Sequence, residues 1–130
     1  MPAFGRTSRS RLETCHPDLQ RVFKKVVKTW DCSVLEGHRS KEKQDKLFSE
    51  GKSKVRWPNS KHNPEVSMAV DVAPYPIDWE DLGRFYMFAG YVLRVAEEEG
   101  VKLRYGGDWD GDGRTADQTF HDLPHFELEE

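Results

Sequence analysis

Leu19, Val22, Phe23, Val26, Val27 and Trp30 recur at i, i+3, i+4, i+7, i+8 and i+11, which places them on one face of an α-helix. A helix with a single apolar face needs a partner surface, and the rest of the chain offers short strands to supply it. "CSVLEGHR" (32–39), "MAVDVA" (68–73), "VKLRY" (101–105) and "HFEL" (125–128) are apolar or alternating runs of strand length, bounded by polar or glycine-rich segments. Pro17 and Asp18 suit the first turn of the helix.

Two further helices are predicted. Ser40 can cap one that runs to about Glu50 and ends at Gly51. Asp78 caps the other, whose apolar stripe is Trp79, Leu82, Phe85, Ala89, Val92, Leu93 and Ala96 and which Gly100 ends. Residues 52–68 contain Pro58 and Pro64 and read as a long polar loop, with Trp57 as its anchor. Residues 1–13 are polar and expected to be loosely ordered. With no repeat or linker, the pattern predicts one compact α+β domain over residues 1–130, a small and mainly antiparallel sheet with flanking helices.

Composition narrows the function. Hydrophobic residues make up 36% of the chain, enough for a core and too many for a disordered polyelectrolyte. A net charge of -3 and a pI near 6.0 argue against nucleic acid as a partner, because that affinity comes from neutralising phosphates. Cys15 and Cys32 match no metal-ribbon spacing and are expected to be reduced thiols. No stretch has the apolar run of a signal peptide or a membrane span, so a soluble, monomeric product made in a cytoplasm, with no membrane insertion, is expected.

Strand alternation picks out candidate chemistry. In "AVDVA", Val70 and Val72 share one face and Asp71 stands on the other between Ala69 and Ala73. In "HFEL", Phe126 and Leu128 face one way, His125 and Glu127 the other. Together with His62, Asp71 and His125 would supply the three protein ligands of an open zinc site. Asp122, three residues before His125, is then the natural proton carrier beside it, with Glu127 next in line. Taken singly, each of these residues could equally be a surface or capping group, since spacing in sequence does not establish proximity.

"SKHNPEVSMAVDV" and "DLPHFEL" resemble the SxH…AxD and [DE]xxH signatures of the D-Ala-D-Ala carboxypeptidase-like zinc peptidases. Within that family they are most similar to the phage L-alanyl-D-glutamate endolysins, over roughly residues 36–128. The resemblance implies a hedgehog/D-Ala-D-Ala peptidase-like fold and one Zn2+ per chain on His62, Asp71 and His125, with Asp122 as general base and acid. "GHRSKEKQ" matches a second family pattern, which implies that Arg39 steadies the scissile carbonyl and Gln44 lines the site. Ser60 matches a family serine that binds peptide or orients the loop. One departure is visible: the His-to-Asp segment is longer than the common family form, and Ser67 stands nearest a glycine position.

The implied activity is cleavage of the peptidoglycan stem peptide, most closely its L-Ala–D-Glu bond, by a phage or prophage endolysin. Such an enzyme is made in the host cytoplasm and reaches the wall after holin-type release; the lack of a signal peptide and of a wall-binding repeat fits. A D-Ala-D-Ala dipeptidase or carboxypeptidase is the alternative cut. A non-catalytic zinc-bearing domain is the rival class, against which intact Asp122 and Arg39 speak. "DWDGDG" places Asp108, Asp110 and Asp112 before Gly113 like the start of a calcium loop. Thr119 replaces the acidic twelfth residue, so this is either a solvated turn or peptide-binding rim, or a weak Ca2+ site. His16, His38 and His121 are expected to be chemically silent.

Overall fold

A computed structural model describes residues 2–114 and 122–129; His121 and Thr119 lie outside them. The described elements are α1 (Arg6–Leu12), α2 (Pro17–Val27), β1 (Cys32–Glu36), α3 (Lys41–Ser49), β2 (Ala69–Pro74), α4 (Leu82–Glu98), β3 (Leu103–Tyr105) and β4 (His125–Leu128). The strands form one four-stranded sheet in the order β1-β2-β4-β3, and every pair is antiparallel. The α+β expectation holds, and the sheet is antiparallel throughout.

One face of the sheet carries the core. Val70 pairs with Phe126 across β2 and β4, and α2 and α4 pack over them. Phe23 meets Phe126 edge-on at 5.4 Å, and Phe88 does so at 6.4 Å. The predicted face of α2 is buried from Leu19 to Val27. His16 caps this helix by accepting from the Asp18 amide at 3.0 Å, and Ser40 caps α3 by accepting from Lys43.

Three expectations need correction. Residues 6–12 form a helix, not a loose segment. Ser8 Oγ accepts from Val34 N at 3.0 Å, and Arg11 Nη1 donates to Val34 O at 3.1 Å, so α1 occupies the outer edge of β1, which would otherwise be open to stray pairing. Leu12 is buried beneath it. The cap of α4 is Asp81, not Asp78: Asp81 Oδ1 accepts from Arg84 N, while Asp78 turns back to Glu80 N. Trp79 and Leu82 therefore lie outside the core stripe, exposed, with the Trp79 indole stacked on Phe85 at 5.2 Å. Trp57 is also exposed and does not anchor its loop. Gln44 does so, through Nε2 donated to Ser53 Oγ and Val55 O, both at 2.8 Å.

Both cysteines are free and buried. Burial pushes the Cys15 thiol up to about 11 and the Cys32 thiol up to about 12, far from the reactive thiolate range. A thiol reagent at pH 8 should label neither cysteine in the folded chain and both in denaturant, read by intact mass. Rapid labelling without denaturant would contradict this packing.

Candidate metal centre

The other face of the sheet is polar but closed. Asp71 and His125 are direct partners across β2 and β4, so both side chains leave the sheet on the same side, opposite Val70 and Phe126. The Pro124 carbonyl extends the ladder by accepting from Val72 N at 2.9 Å. His62 arrives from the loop before β2. Its amide donates to Ser60 Oγ at 3.1 Å, its carbonyl accepts from Arg39 N at 2.7 Å, and its imidazole Nδ1 donates to Gly37 O at 2.8 Å. A Cβ on Gly37 would strike Thr14 and the Arg11 carbonyl, so only glycine lets this acceptor sit where His62 needs it.

Three donor atoms converge. His62 Nε2 lies 3.2 Å from Asp71 Oδ1 and 3.3 Å from His125 Nδ1, and His125 Nδ1 lies 3.2 Å from Asp71 Oδ1. Donors bound at about 2.0–2.1 Å in a tetrahedron sit about 3.3 Å apart, so this triangle has the size of one tetrahedral face. Both imidazoles have their far nitrogens engaged, His62 Nδ1 with Gly37 O and His125 Nε2 with Glu127 Oε1 at 2.8 Å. That leaves His62 Nε2 and His125 Nδ1 as the nitrogens turned inward, able to ligate a metal once they carry no proton. The longer loop does not displace His62, because Ser67 is buried and ties it back by accepting from the amide of Ala69 and donating to its carbonyl.

The electrostatics favour a cation. Burial alone would raise the Asp71 carboxyl, but hydrogen bonds from His125 and His62 outweigh it and hold the group well below the usual range. Burial would lower His125, but bonds to Asp71 and Glu127 and the Asp122 charge lift it to about 9. Asp122 Oδ2 stands 3.8 Å from His125 Nδ1, close to the triangle without being a corner of it. Burial and the Asp71 charge raise its pKa, and His125, His62 and Arg39 pull against that rise. A Cβ on Gly106 would collide with the Asp122 carbonyl, so glycine permits this close approach as well.

Arg39 is held by Glu36, which takes its Nε at 2.6 Å and also meets its Nη2, and by Gln44 Oε1, which accepts from Nη1 at 3.0 Å. Glu36 reaches this position through a bulge: Val34 pairs with Val72 and Glu36 with Asp71, leaving Leu35 without a partner. Gln44 does not line the site. It is fully buried, and its amide is spent on Arg39, Asn63, Ser53 and Val55. Ser60 orients the loop through the His62 amide. Glu127 lies behind His125, not beside the triangle, so it orients the imidazole and is not placed to act as a base. Nothing in the alternation of "HFEL" distinguished those two roles.

The acidic loop also converges. Asp108, Asp110 and Asp112 bring one oxygen each within 4.8 Å of one another, and Gly113 has φ +79. Asp108 Oδ2 accepts from Gly113 N at 2.8 Å, while Asp108 Oδ1 is buried and has no partner among the described residues. His38 spends its Nδ1 on the Pro64 carbonyl.

An open three-donor face with a carboxylate beside it and a braced guanidinium nearby is the equipment of a metal-assisted hydrolase. The comparisons agree on a family of peptidases. The model for phage L-alanyl-D-glutamate peptidases matches residues 2–129. The L-alanyl-D-glutamate peptidase of Escherichia phage T5 is 32% identical over 133 residues, covering 96% of this chain and 96% of that protein. The crystal structure of the Serratia marcescens L-Ala D-Glu endopeptidase ChiX superposes with a TM-score of 0.78 at 30% identity, covering 98% of this chain and 91% of that one. The chain belongs to the phage L-alanyl-D-glutamate peptidase family, as the resemblance of its two motifs implied.

Because His125 is raised to about 9, it carries a proton at pH 7 that a metal must displace. Loading a divalent cation into metal-free protein at pH 7 should therefore release about one proton, with affinity rising as pH approaches about 9. Calorimetry in buffers of different ionisation enthalpy reads this directly. A heat independent of buffer would contradict the donor assignment.

Proposed function

We propose that this protein is a zinc peptidase that cuts the L-Ala–D-Glu bond of the peptidoglycan stem. The observation that carries the reading is the His62–Asp71–His125 triangle with edges of 3.2 and 3.3 Å, in a chain of this family. Two nitrogens and one carboxylate oxygen suit zinc, and no fourth donor closes the set among the described residues. When bound, zinc supplies a Lewis acid and activates a water in the open position.

The chain's own residues do the rest. Asp122 accepts the proton of the attacking water at its carboxylate and passes it to the leaving amine; its raised pKa favours holding that proton between the two steps. Arg39, kept rigid by Glu36 and Gln44, donates to the oxygen of the scissile carbonyl as negative charge grows there. Ser60 keeps His62 aimed. We read the chain as a monomer, made in a host cytoplasm and released to the wall through a holin-type pore, the last two in keeping with its phage kinship. No helix among the described residues is long and apolar enough to cross a membrane.

The acidic loop we read as a weak calcium position. The three converging carboxylates, the positive φ of Gly113 and the unpartnered Asp108 oxygen support it. Asp110 and Asp112 are exposed, which favours low affinity. The variant carrying Asp108→Ala and Asp110→Ala should lose calcium binding, change lysis modestly and keep its zinc. Absence of any calcium binding by the wild type at millimolar concentration would remove the assignment.

Incubation with purified peptidoglycan followed by mass spectrometry of the termini tests the cut: new N-terminal D-Glu is expected. Released D-Ala or D-Ala-D-Ala would instead make the protein a carboxypeptidase or dipeptidase, and unchanged peptidoglycan a binding domain. Asp122→Asn should retain zinc and fold while lysis falls by about 10²-fold or more. A variant with over a tenth of the wild-type rate would exclude Asp122 as the proton carrier.

A further inference from the structure

Arg104 is the register partner of Glu127 across β3 and β4. Its Nη2 donates to Glu127 Oε2 at 2.8 Å, and the other Glu127 oxygen accepts from His125 Nε2 at 2.8 Å. The same guanidinium lies over the Trp109 ring, 5.5 Å from its centroid. That indole in turn lies 5.4 Å from the His125 imidazole, tilted by 42°. The four side chains thus close a ring of contacts with Arg104 opposite His125.

We infer that Arg104 is a positioning residue that holds His125 from two directions, through Glu127 at the imidazole Nε2 and through the Trp109 indole tilted against its ring. The need for such a brace follows from the imidazole itself. Rotation about the Cβ–Cγ bond of histidine is soft and has two broad wells. A half-turn of His125 would replace Nδ1 by a carbon at the triangle and leave Glu127 facing a carbon. The carboxylate of Glu127 opposes this turn only while it is itself fixed, and its side chain is 7% exposed. A buried carboxylate needs a cationic partner. The guanidinium of Arg104 provides that charge, and its planar shape lets it donate at its edge and cover the indole with its face. Lysine has the charge without the plane. The inference rests on the reading of His125 as a metal ligand, although the orientation of its ring can be measured without metal.

The test compares wild type, Arg104→Lys, Arg104→Ala and Trp109→Ala, using zinc alone as the probe and a chromophoric chelator as competitor. Imidazole ¹H–¹⁵N spectra of the metal-free proteins supply a second readout. Loss of an outer partner of a metal-bound histidine commonly weakens binding by about 10- to 100-fold, and Arg104→Ala is expected in that range. Arg104→Lys, which restores the charge, should recover the thermal midpoint but only part of the affinity. In spectra recorded above the His125 pKa of about 9, where the imidazole is neutral, His125 should show a single Nε2–H tautomer in wild type and averaged nitrogen shifts in Arg104→Ala and Trp109→Ala. Wild-type zinc affinity and an unchanged tautomer in Arg104→Ala would overturn the inference. So would full rescue by lysine in both readouts, since charge neutralisation alone would then explain the residue. A wild type that takes up no zinc would refute the proposed function, and the spectra of the metal-free proteins would still decide the role of Arg104.

Discussion

The pairing of Asp71 with His125 across β2 and β4 is the constraint on which the rest of the site depends. Antiparallel partners share a face, and a slip of one residue in either strand would turn its own ligand toward the core and bring its Val70 or Phe126 out. The aromatic contacts that Phe126 makes with Phe23, Phe88 and Tyr105 therefore fix the register of the candidate metal ligands. Hydrophobic packing on one side of the sheet sets the chemistry on the other. His62 completes the triangle from a loop, held by the Gly37 carbonyl and the Ser60 hydroxyl.

Around that triangle the protein has gathered acidic groups: Asp71 as a corner, Asp122 beside it and Glu127 behind His125. Without a cation such a cluster is costly, and the raised pKa of His125 shows that cost as a retained proton. A divalent ion satisfies the same field. Arg39 offsets part of that charge at Asp122, and its three guanidinium nitrogens are engaged by Glu36 and Gln44. Side-chain freedom is thereby removed before any substrate arrives, which is how positioned charges become effective in catalysis.

Much of this was legible in the sequence, for identifiable reasons. The face of α2 and the strands carrying Asp71 and His125 follow simple periods, and alternation alone put both residues on the face opposite the core. The two family motifs then joined His62 and Asp122 to them. What escaped was decided by contacts remote in sequence. The helix α1 is polar and has little apolar period; it exists because Ser8 and Arg11 satisfy the edge of β1 at Val34. Asp78 and Asp81 are both able to cap α4, and local sequence does not rank them. Gln44 looks like a site residue by motif, yet its amide reaches the loop at Ser53 and Val55, a fold-back that no spacing reveals. Glu127 shares a face with His125, and only the direction of the imidazole separates an orienting carboxylate from a base.

X-ray absorption at the zinc edge of the purified protein tests the central claim most directly, because it reports the atoms around the metal and not the consequences of losing them. A first shell of nitrogen and oxygen at about 2.0–2.1 Å, with the outer scattering of two imidazoles in wild type and of one in His62→Ala, is the expected result. Sulfur scattering at about 2.3 Å, or a spectrum unchanged by His62→Ala, would mean that the metal sits elsewhere and that the triangle on the sheet is not the catalytic centre.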